Sequence, residues 1–344
     1  MPTFSPNEAN EANEANEANE ANEANEANEA NSVASLSAYS GARTSTLLAQ
    51  ALFNTQGELL RGISGYGSPF LGNRTLDVNQ AMHRWSPTVR QRLYQFQLAS
   101  ALHMDHPDTR EDKVTLWRRT KLNQPVGGVR KAEYEELVFL RRPKYDYRPA
   151  TAPVPASAPG GSLEDELQKT LDKAALRPER TAEILTQVNP PYAFFAAVLN
   201  LQPGRRRRTF ELLAAANTFA SVAGQQFKHA FRVIRPGDRS PLIQPMVATP
   251  GHSSYPAGHA TQGEMLKLVL ASLLGLSSTS ETYGQLDRLA ARIAENRVVA
   301  GLHYPVDNEQ GRILGAWLAW YFLDCATVAD TPLAWLWKLA SAER

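Results

Sequence analysis

The sequence predicts an all-α protein built as a helical bundle. Apolar residues recur every three to four positions in most segments of the 344-residue chain, whereas alternating strand patterns are scarce. Hydrophobic residues make up 43% of the chain, which is enough to bury a sizeable core of packed helices. In the second half of the chain, helices are predicted over 162–176, 180–200, 206–232, 259–276, 282–300, 306–324 and 331–342.

Four regions are expected along the chain. Residues 1–35 hold the triplet Asn-Glu-Ala eight times, and the repeat has no aromatic or branched apolar side chain, which predicts a disordered acidic tail. Residues 36–147 are predicted to be a helical region packed on the core. Residues 148–161 are rich in Pro, Ala and Gly, typical of a linker or an exposed loop. Residues 162–344 form the bundle that carries the motifs described below.

Helical spacing of apolar residues also marks three segments of the region before the linker. The first is Ser45–Leu60, and the second is Val78–His103, which Pro87 is expected to interrupt. The third, Val129–Leu140, is predicted to be a short helix. These segments supply the helices of the N-terminal region.

The charge is distributed unevenly. The acidic tail contains eight of the 35 acidic residues, so 36 Lys and Arg face 27 Asp and Glu in the remainder. A basic body suits anionic ligands, although the excess is too modest to predict nucleic-acid binding. Cys325 is the single cysteine, so no internal disulfide can form. The sequence shows no signal peptide and no apolar run long enough to span a bilayer, and a cytoplasmic protein is therefore expected.

Two cations near the middle of the chain are predicted to lie on one helix face. Lys228 and Arg235 are seven residues apart, which is two helical turns, and Pro236 is expected to end the helix. Such a pair can converge on one anion. Taken alone, the same spacing is also typical of a solvated basic face.

A second segment reads Pro256-Ala-Gly-His259 and lies before the apolar helix 259–276. The N–H groups of a helix N-terminus lack intrahelical partners and lie at the positive end of the helix dipole, so they form an anion site. Gly258 allows close approach of the backbone, and His259 is placed for proton transfer to a bound oxyanion. A capping histidine in a turn is the alternative interpretation.

A third segment contains Arg297, His303 and Asp307. Arg297 lies at the end of an amphipathic helix that Gly301 terminates, and His303 lies just before the next helix, which Pro305 begins. Asp307 is expected to accept a hydrogen bond from Nδ1 of His303, leaving Nε2 free to attack or to ligate. A surface network of ion pairs is the alternative interpretation.

The three segments together, in this order, resemble the signature of the superfamily that unites vanadium-dependent haloperoxidases with type 2 phosphatidic acid and acid phosphatases. The resemblance covers about 80 residues, from 228 to 307. The matching positions are Lys228, Arg235, Pro236, Pro256, Gly258, His259, Arg297, His303 and Asp307. It implies the helical bundle of that superfamily, of the soluble haloperoxidase-like branch.

Two positions depart from the pattern of the superfamily. Ala257 stands where a serine is usual, and Asn296 stands where a serine commonly precedes the arginine. A hydrogen bond to a charged group contributes about 1.5–3 kcal/mol, so the loss of the serine hydroxyl at position 257 predicts about ten- to a hundredfold weaker anion binding. Lys228, Arg235, Arg297 and the Gly258 amide would remain as donors.

The resemblance implies one anion site with two alternative chemistries. With vanadate as cofactor, His303 would ligate the metal, His259 would be the acid–base group, and hydrogen peroxide would oxidise a halide. With a phosphate ester, His303 would be the nucleophile that forms a phosphohistidine, and His259 would protonate the leaving group. A degenerate oxyanion-binding protein is the third alternative.

The haloperoxidase is favoured for two reasons. The phosphatase branches are mostly membrane-embedded or exported, and this chain shows neither an export signal nor a membrane span. In the haloperoxidase branch, the residue seven positions before the motif histidine differs between brominating and chlorinating enzymes, and His252 resembles the brominating type. Residues 252 and 257 are therefore placed near the halide or substrate. A homodimer is left open, because Trp317 and Trp320 suit either the core or a subunit interface.

Overall fold

The computed structural model of the chain describes residues 77–104, 113–122, 132–146 and 157–344. The acidic tail, the predicted helix Ser45–Leu60 and most of the linker 148–161 lie outside these residues. The domain boundaries given above therefore stay predictions.

The second half of the chain is a bundle of helices, as predicted. The structure describes nine α-helices there. They are α3 Leu163–Lys173, α4 Arg177–Thr186, α5 Tyr192–Leu199, α6 Arg207–Phe231, the short α7 Pro236–Arg239, α8 Gly258–Leu274, α9 Glu281–Val299, α10 Pro305–Ala326 and α11 Pro332–Ser341. Helix α8 is central, because it packs against α6, α9 and α10. The bounds of α6, α9, α10 and α11 agree with the predicted segments to within two residues.

The predicted helix 180–200 is wrong as a single element. It is divided into α4 and α5 because Pro190 and Pro191 follow the end of α4, and a proline lacks the N–H group that a continuing helix needs. The division matters for the site, since Gln187, which caps the C-terminus of α4, is fully buried beside it.

The N-terminal region is not wholly helical. Helices α1 Val78–Arg84 and α2 Pro87–Ala99 confirm the predicted break near Pro87, and they precede a three-stranded antiparallel sheet. The strands are β1 Leu102–Met104, β2 Lys113–Leu122 and β3 Ala132–Arg141, in the order β1-β2-β3.

The helix predicted over Val129–Leu140 is therefore wrong. Glu and Leu favour helix, but β3 pairs with β2 along its whole length, and its residues from Val138 onwards alternate between buried and exposed. Pairing and burial decide the structure here, and they override the intrinsic preference of the residues.

One continuous hydrophobic cluster joins the N-terminal region to the bundle. It contains Tyr94 and Leu140 from the first part of the chain together with Phe195, Leu270 and Leu318 from the second. Within the bundle, α10 lies unusually close to α8. The distance shows at Gly311 of α10, where an added Cβ atom would come within 2.5 Å of the Ala257 carbonyl oxygen. This close approach brings the start of α10 next to the start of α8.

Among the described residues, no helix is both long enough and apolar enough to cross a membrane.

Candidate functional site

The three sequence segments converge at one end of the bundle. Lys228 Nζ, in the last turn of α6, donates to the carbonyl oxygens of Ser253 and Ser254 at 2.8 and 2.9 Å. Arg235 donates from Nε to the His252 carbonyl at 3.0 Å and from Nη1 to the Leu302 carbonyl at 2.9 Å. The two cations thus hold the loop before α8 against the loop before α10.

The expectation that Lys228 and Arg235 share one helix is wrong. Helix α6 ends at Phe231, because Arg232 adopts a left-handed conformation with φ of 53°. Pro236 does not end a helix but begins the short helix α7. The two side chains nevertheless reach the same place, because both are directed onto the backbone of residues 252–254 rather than along a common helix face.

His303 has the geometry that the sequence predicts. Its Nδ1 lies 3.1 Å from Oδ2 of Asp307, on the first turn of α10. A carboxylate only accepts, so Nδ1 carries the proton and Nε2 keeps its lone pair. Arg235 Nη1 lies 3.5 Å from Nε2 and only donates, which agrees with this tautomer. Burial, followed by the charge of Arg235, lowers the pKa of His303 well below its ordinary value, so the ring is neutral.

Asp307 is held by more groups than the sequence indicates. Besides His303, its carboxylate accepts hydrogen bonds from Ser254 Oγ at 2.5 Å, from Tyr145 Oη at 2.6 Å and from the Tyr304 amide at 3.1 Å. Burial raises the pKa of Asp307 to about 6, while the Ser254 and Tyr145 hydroxyls act in the opposite direction. The carboxylate is therefore fixed as an acceptor that orients His303.

Tyr145 and Ser254 were missed by sequence reasoning. Ser254 stands two residues before Pro256, close enough to the second motif to have been considered as a partner. Tyr145 lies in a 3-10 turn after β3, more than 80 residues before the first motif, and no local pattern marks it.

Helix α8 begins as predicted. Gly258 is its first residue, so the amides of Gly258, His259 and Ala260 have no acceptor within the helix. A Cβ atom at Gly258 would lie 4.0 Å from Cε of Lys228, which places the cation beside these amides. Ala257 caps the helix without a side-chain hydrogen bond, and its methyl group lies in a buried cluster with Ala260 and Ala294.

His259 is anchored by the backbone of another helix. Its Nε2 lies 2.8 Å from the carbonyl oxygen of Gln187, which can only accept, so Nε2 carries the proton and Nδ1 is the free base in the neutral ring. Burial, followed by the charge of Arg297, lowers the pKa of His259 to about 3. Without a bound anion, His259 is therefore a neutral acceptor.

His252 lies in the wall of a surface cavity that reaches Lys228 and Arg235. A cavity of about 620 Å³ is lined by Lys228, Arg235, His252 and their neighbours on the surface. His252 Nδ1 is 3.1 Å from Arg235 Nη2 and 3.2 Å from the Ser253 carbonyl. Nδ1 cannot serve both partners in one protonation state. Burial, followed by the charge of Lys228, lowers the pKa of His252 to about 4, so the ring is neutral.

The electrostatics of this cluster favour an anion. Lys228, Arg235 and Arg297 are each at most 2% exposed, and Asp307 is the buried carboxylate that faces Lys228. Burial and then the charge of Arg235 lower the pKa of Lys228 well below its ordinary value. A buried excess of positive charge is unfavourable unless a counter-charge compensates it. The residues present therefore fit an oxyanion such as vanadate or phosphate.

The described residues offer no comparable site for a metal cation, because no group of three or more His, Cys, Asp and Glu side chains lies close together there. The vanadate implied by the resemblance would be held as an oxyanion by N–H donors, with His303 Nε2 as the ligand atom.

No protein-family profile matches the chain. A vanadium-dependent bromoperoxidase of Ascophyllum nodosum is 32% identical over 91 residues, which cover 20% of this chain and 16% of that protein. A decaprenylphosphoryl-5-phosphoribose phosphatase of Mycolicibacterium smegmatis is 32% identical over 119 residues, which cover 35% of this chain and 61% of that protein. Both matches support the resemblance of this chain to the superfamily of vanadium-dependent haloperoxidases and type 2 phosphatidic acid phosphatases.

The chain spans less than two thirds of the length of either protein that it matches. Among solved structures, a bacterial vanadium-dependent iodoperoxidase aligns with 56% of each chain, at 16% identity and a TM-score of 0.36.

Proposed function

We propose that the chain is a vanadate-dependent haloperoxidase that oxidises a halide with hydrogen peroxide, bromide or iodide being favoured. The observation that carries the proposal is the neutral His303, with its Nε2 lone pair available beside Arg235 and its Nδ1 anchored on Asp307. A ligating imidazole needs this tautomer, and the cations around it supply the charge that an oxyanion requires.

Each residue of the site has a distinct task in this proposal. His303 Nε2 would ligate the metal, while Lys228, Arg235, Arg297 and the Gly258 amide would neutralise the oxygens of the anion. Vanadate, when bound, would activate hydrogen peroxide so that an oxygen atom is transferred to the halide. Lys228 is oriented for its task, since two of its three N–H groups bond to carbonyl oxygens and fix the ammonium group.

His259 would move the proton. Its Nε2 is committed to the Gln187 carbonyl, so Nδ1 is the atom that can accept a proton from bound peroxide and later return it. Negative charge at the anion site would raise the pKa of His259 from its low value, because it offsets the repulsion by Arg297. The histidine thus becomes an effective acid–base group only when the anion is present.

His252 supports the choice of halide oxidation. It contacts Arg235 at the wall of the cavity that leads to the cations, where a halide would approach. A histidine at this position resembles the brominating enzymes of the superfamily, which is why bromide or iodide is favoured over chloride. A cytoplasmic location and a homodimer stay predictions.

A soluble acid phosphatase acting through a phosphohistidine is the second candidate. The cavity favours it, because a volume of about 620 Å³ next to Lys228 and Arg235 leaves room for the leaving group of a phosphate monoester. The same His303 Nε2 would attack phosphorus, and His259 would protonate the leaving oxygen.

Orthovanadate separates the two candidates. We expect the vanadate-free chain to gain bromide and iodide oxidation when orthovanadate and hydrogen peroxide are added, and inorganic phosphate to compete with this activation. Halide oxidation is measured by bromination of a phenolic dye, and phosphatase activity by release of p-nitrophenol from its phosphate.

The opposite pattern would favour the phosphatase. In that case, hydrolysis of p-nitrophenyl phosphate is present without additions, orthovanadate inhibits it, and no halide is oxidised. If orthovanadate binds but neither activity is found, the site is a degenerate oxyanion site, and Ala257 and Asn296 are the first positions to examine.

Anion binding is expected to be linked to protonation of His259. Its pKa of about 3 in the anion-free chain is held low first by burial and second by the charge of Arg297, and it should rise when inorganic phosphate is bound, because the negative charge compensates Arg297. Proton uptake then accompanies binding, so phosphate affinity increases as the pH falls through the higher pKa and levels off near the lower one. An NMR titration of the His259 ring with and without saturating phosphate measures both values.

If the titration curves of His259 with and without saturating phosphate coincide, this prediction is contradicted. A His259→Gln variant serves as the control, because the pH dependence of phosphate affinity that remains in it belongs to phosphate itself and to the other residues of the site.

A further inference from the structure

Asn296 lies at the centre of a buried polar network between α9 and α4. It is fully buried, and its Oδ1 accepts from Arg180 Nη1 at 3.0 Å. Its Nδ2 donates to Glu183 Oε2 at 3.0 Å and to Gln187 Oε1 at 2.9 Å. Asn296 thus satisfies three partners on α4 and its C-cap.

The orientations of the two amides in this network follow from their partners. A guanidinium only donates and a carboxylate only accepts, so Arg180 and Glu183 together fix which end of the Asn296 amide carries oxygen. The Nδ2 group that faces Gln187 is then a donor, so Gln187 must present Oε1 to it. This arrangement determines the rotamer and the flip state of the buried Gln187 side chain.

The fixed Gln187 in turn holds His259. The Gln187 carbonyl is the acceptor of His259 Nε2. The Gln187 N–H still bonds to the Glu183 carbonyl as the C-cap of α4, but its own carbonyl lies past the end of the helix and takes part in no intrahelical hydrogen bond. Gln187 Nε2 has no acceptor among the described residues, although it is buried. Among the described residues, the bond from Asn296 to Oε1 is therefore the side-chain hydrogen bond that holds this amide.

We propose that Asn296 is a positioning residue for His259, acting through Gln187, and not the site of a lost anion contact. The side chain fixes Gln187, the Gln187 carbonyl holds Nε2–H of His259, and Nδ1 is thereby directed to the proton that it transfers. The proposal rests on the proposed function only in the proton transfer by His259. The polar link itself is independent of which oxyanion or reaction the site serves.

Replacing Asn296 with serine, the residue common at this position in the superfamily, tests the proposal. If position 296 merely lacks an anion donor, Asn296→Ser binds orthovanadate more tightly and keeps its turnover. If Asn296 positions His259, Asn296→Ser loses about tenfold or more in kcat, while the Kd for orthovanadate changes less than threefold. A serine is too short to span from α9 to Gln187.

A second readout does not depend on activity. In the anion-free chain, ring nitrogen NMR of His259 is expected to show the Nε2–H tautomer alone. In Asn296→Ser it should show a mixture of the two tautomers, because the Gln187 carbonyl is no longer held in place. An unchanged tautomer in Asn296→Ser would overturn the proposal, even if the chain proves to be a phosphatase or has no activity.

Glu295→Gln is the matched control. Glu295 precedes Asn296 on α9 and pairs with Lys173 and Arg180 without contacting Gln187, so this variant should keep the His259 tautomer and the kcat of the parent. Should Asn296→Ser fail to fold, Gln187→Ala replaces it, since it removes the side-chain amide that Asn296 holds and keeps the backbone carbonyl that faces His259. The same change in tautomer is expected, and an unchanged one overturns the proposal.

Discussion

Replacing His303 with alanine is expected to abolish activity of either kind, with kcat falling by at least about a thousandfold. The reason is that the lone pair of Nε2 is the one group of the site that would bond covalently to vanadium or phosphorus. The remaining cations could still attract an anion, but they cannot replace that bond.

The fold of His303→Ala is expected to persist. Asp307 retains three of its four hydrogen-bond partners, Ser254, Tyr145 and the Tyr304 amide, so the buried carboxylate stays satisfied. Thermal unfolding followed by circular dichroism checks this point. His83→Ala is a suitable control, because His83 is an exposed histidine whose ring contacts Trp335, outside the site. Turnover of His303→Ala near that of the parent would exclude His303 as the ligand or nucleophile.

Asp307→Asn is expected to lower kcat by about a hundred- to a thousandfold, while the chain remains folded. The neutral amide can accept from His303 only when its nitrogen faces the Tyr145 hydroxyl, and in neither orientation does it carry the charge that stabilises a protonated or ligating imidazole. In the other orientation, the Tyr304 amide faces a second donor, which costs about 1–3 kcal/mol of stability.

A change in pH dependence accompanies the loss of Asp307. Its charge raises the pKa of Lys228, which burial and Arg235 hold low, so the variant should lose the ammonium charge at a lower pH than the parent. Because deprotonated Lys228 no longer attracts an anion, phosphate affinity should begin to fall at a lower pH in Asp307→Asn. Calorimetric titration with inorganic phosphate at several pH values measures this shift, and an unchanged pH profile would mean that the two residues are not coupled.

The sequence predicts the parts of the site that depend on local order. Gly258 begins α8, His303 precedes α10, and Asp307 follows at the spacing that lets it bond Nδ1, because each depends on neighbours within one or two helical turns. These relations can be read from Pro, Gly and apolar spacing without knowledge of the fold.

Relations that depend on tertiary packing were not predictable in the same way. The convergence of Lys228 and Arg235 was predicted for the wrong reason, since a left-handed Arg232 ends α6 and the loop of residues 252–254 gathers both side chains. Strand β3 was predicted as a helix because its residues favour helix, and the apolar spacing does not reveal the pairing with β2 that overrides this preference. Asn296 could be recognised as a departure, but its contact with Gln187 requires the structure.

The hydrogen bond from Tyr145 to Asp307 makes the site depend on a segment that lies far before its motifs in the sequence. His303 and Asp307 are four residues apart and can meet as soon as α10 forms, and Ser254 joins them across 53 positions. Tyr145 closes a loop of 162 residues and arrives from the end of the β-sheet region. Contacts across such separations form late, since the entropy of closing the loop must be overcome before they stabilise anything. The hydrogen bonds of the carboxylate that orients His303 are therefore complete only when the sheet region has docked. In a partly folded chain, the cations would come together before the His303 ring is fully oriented.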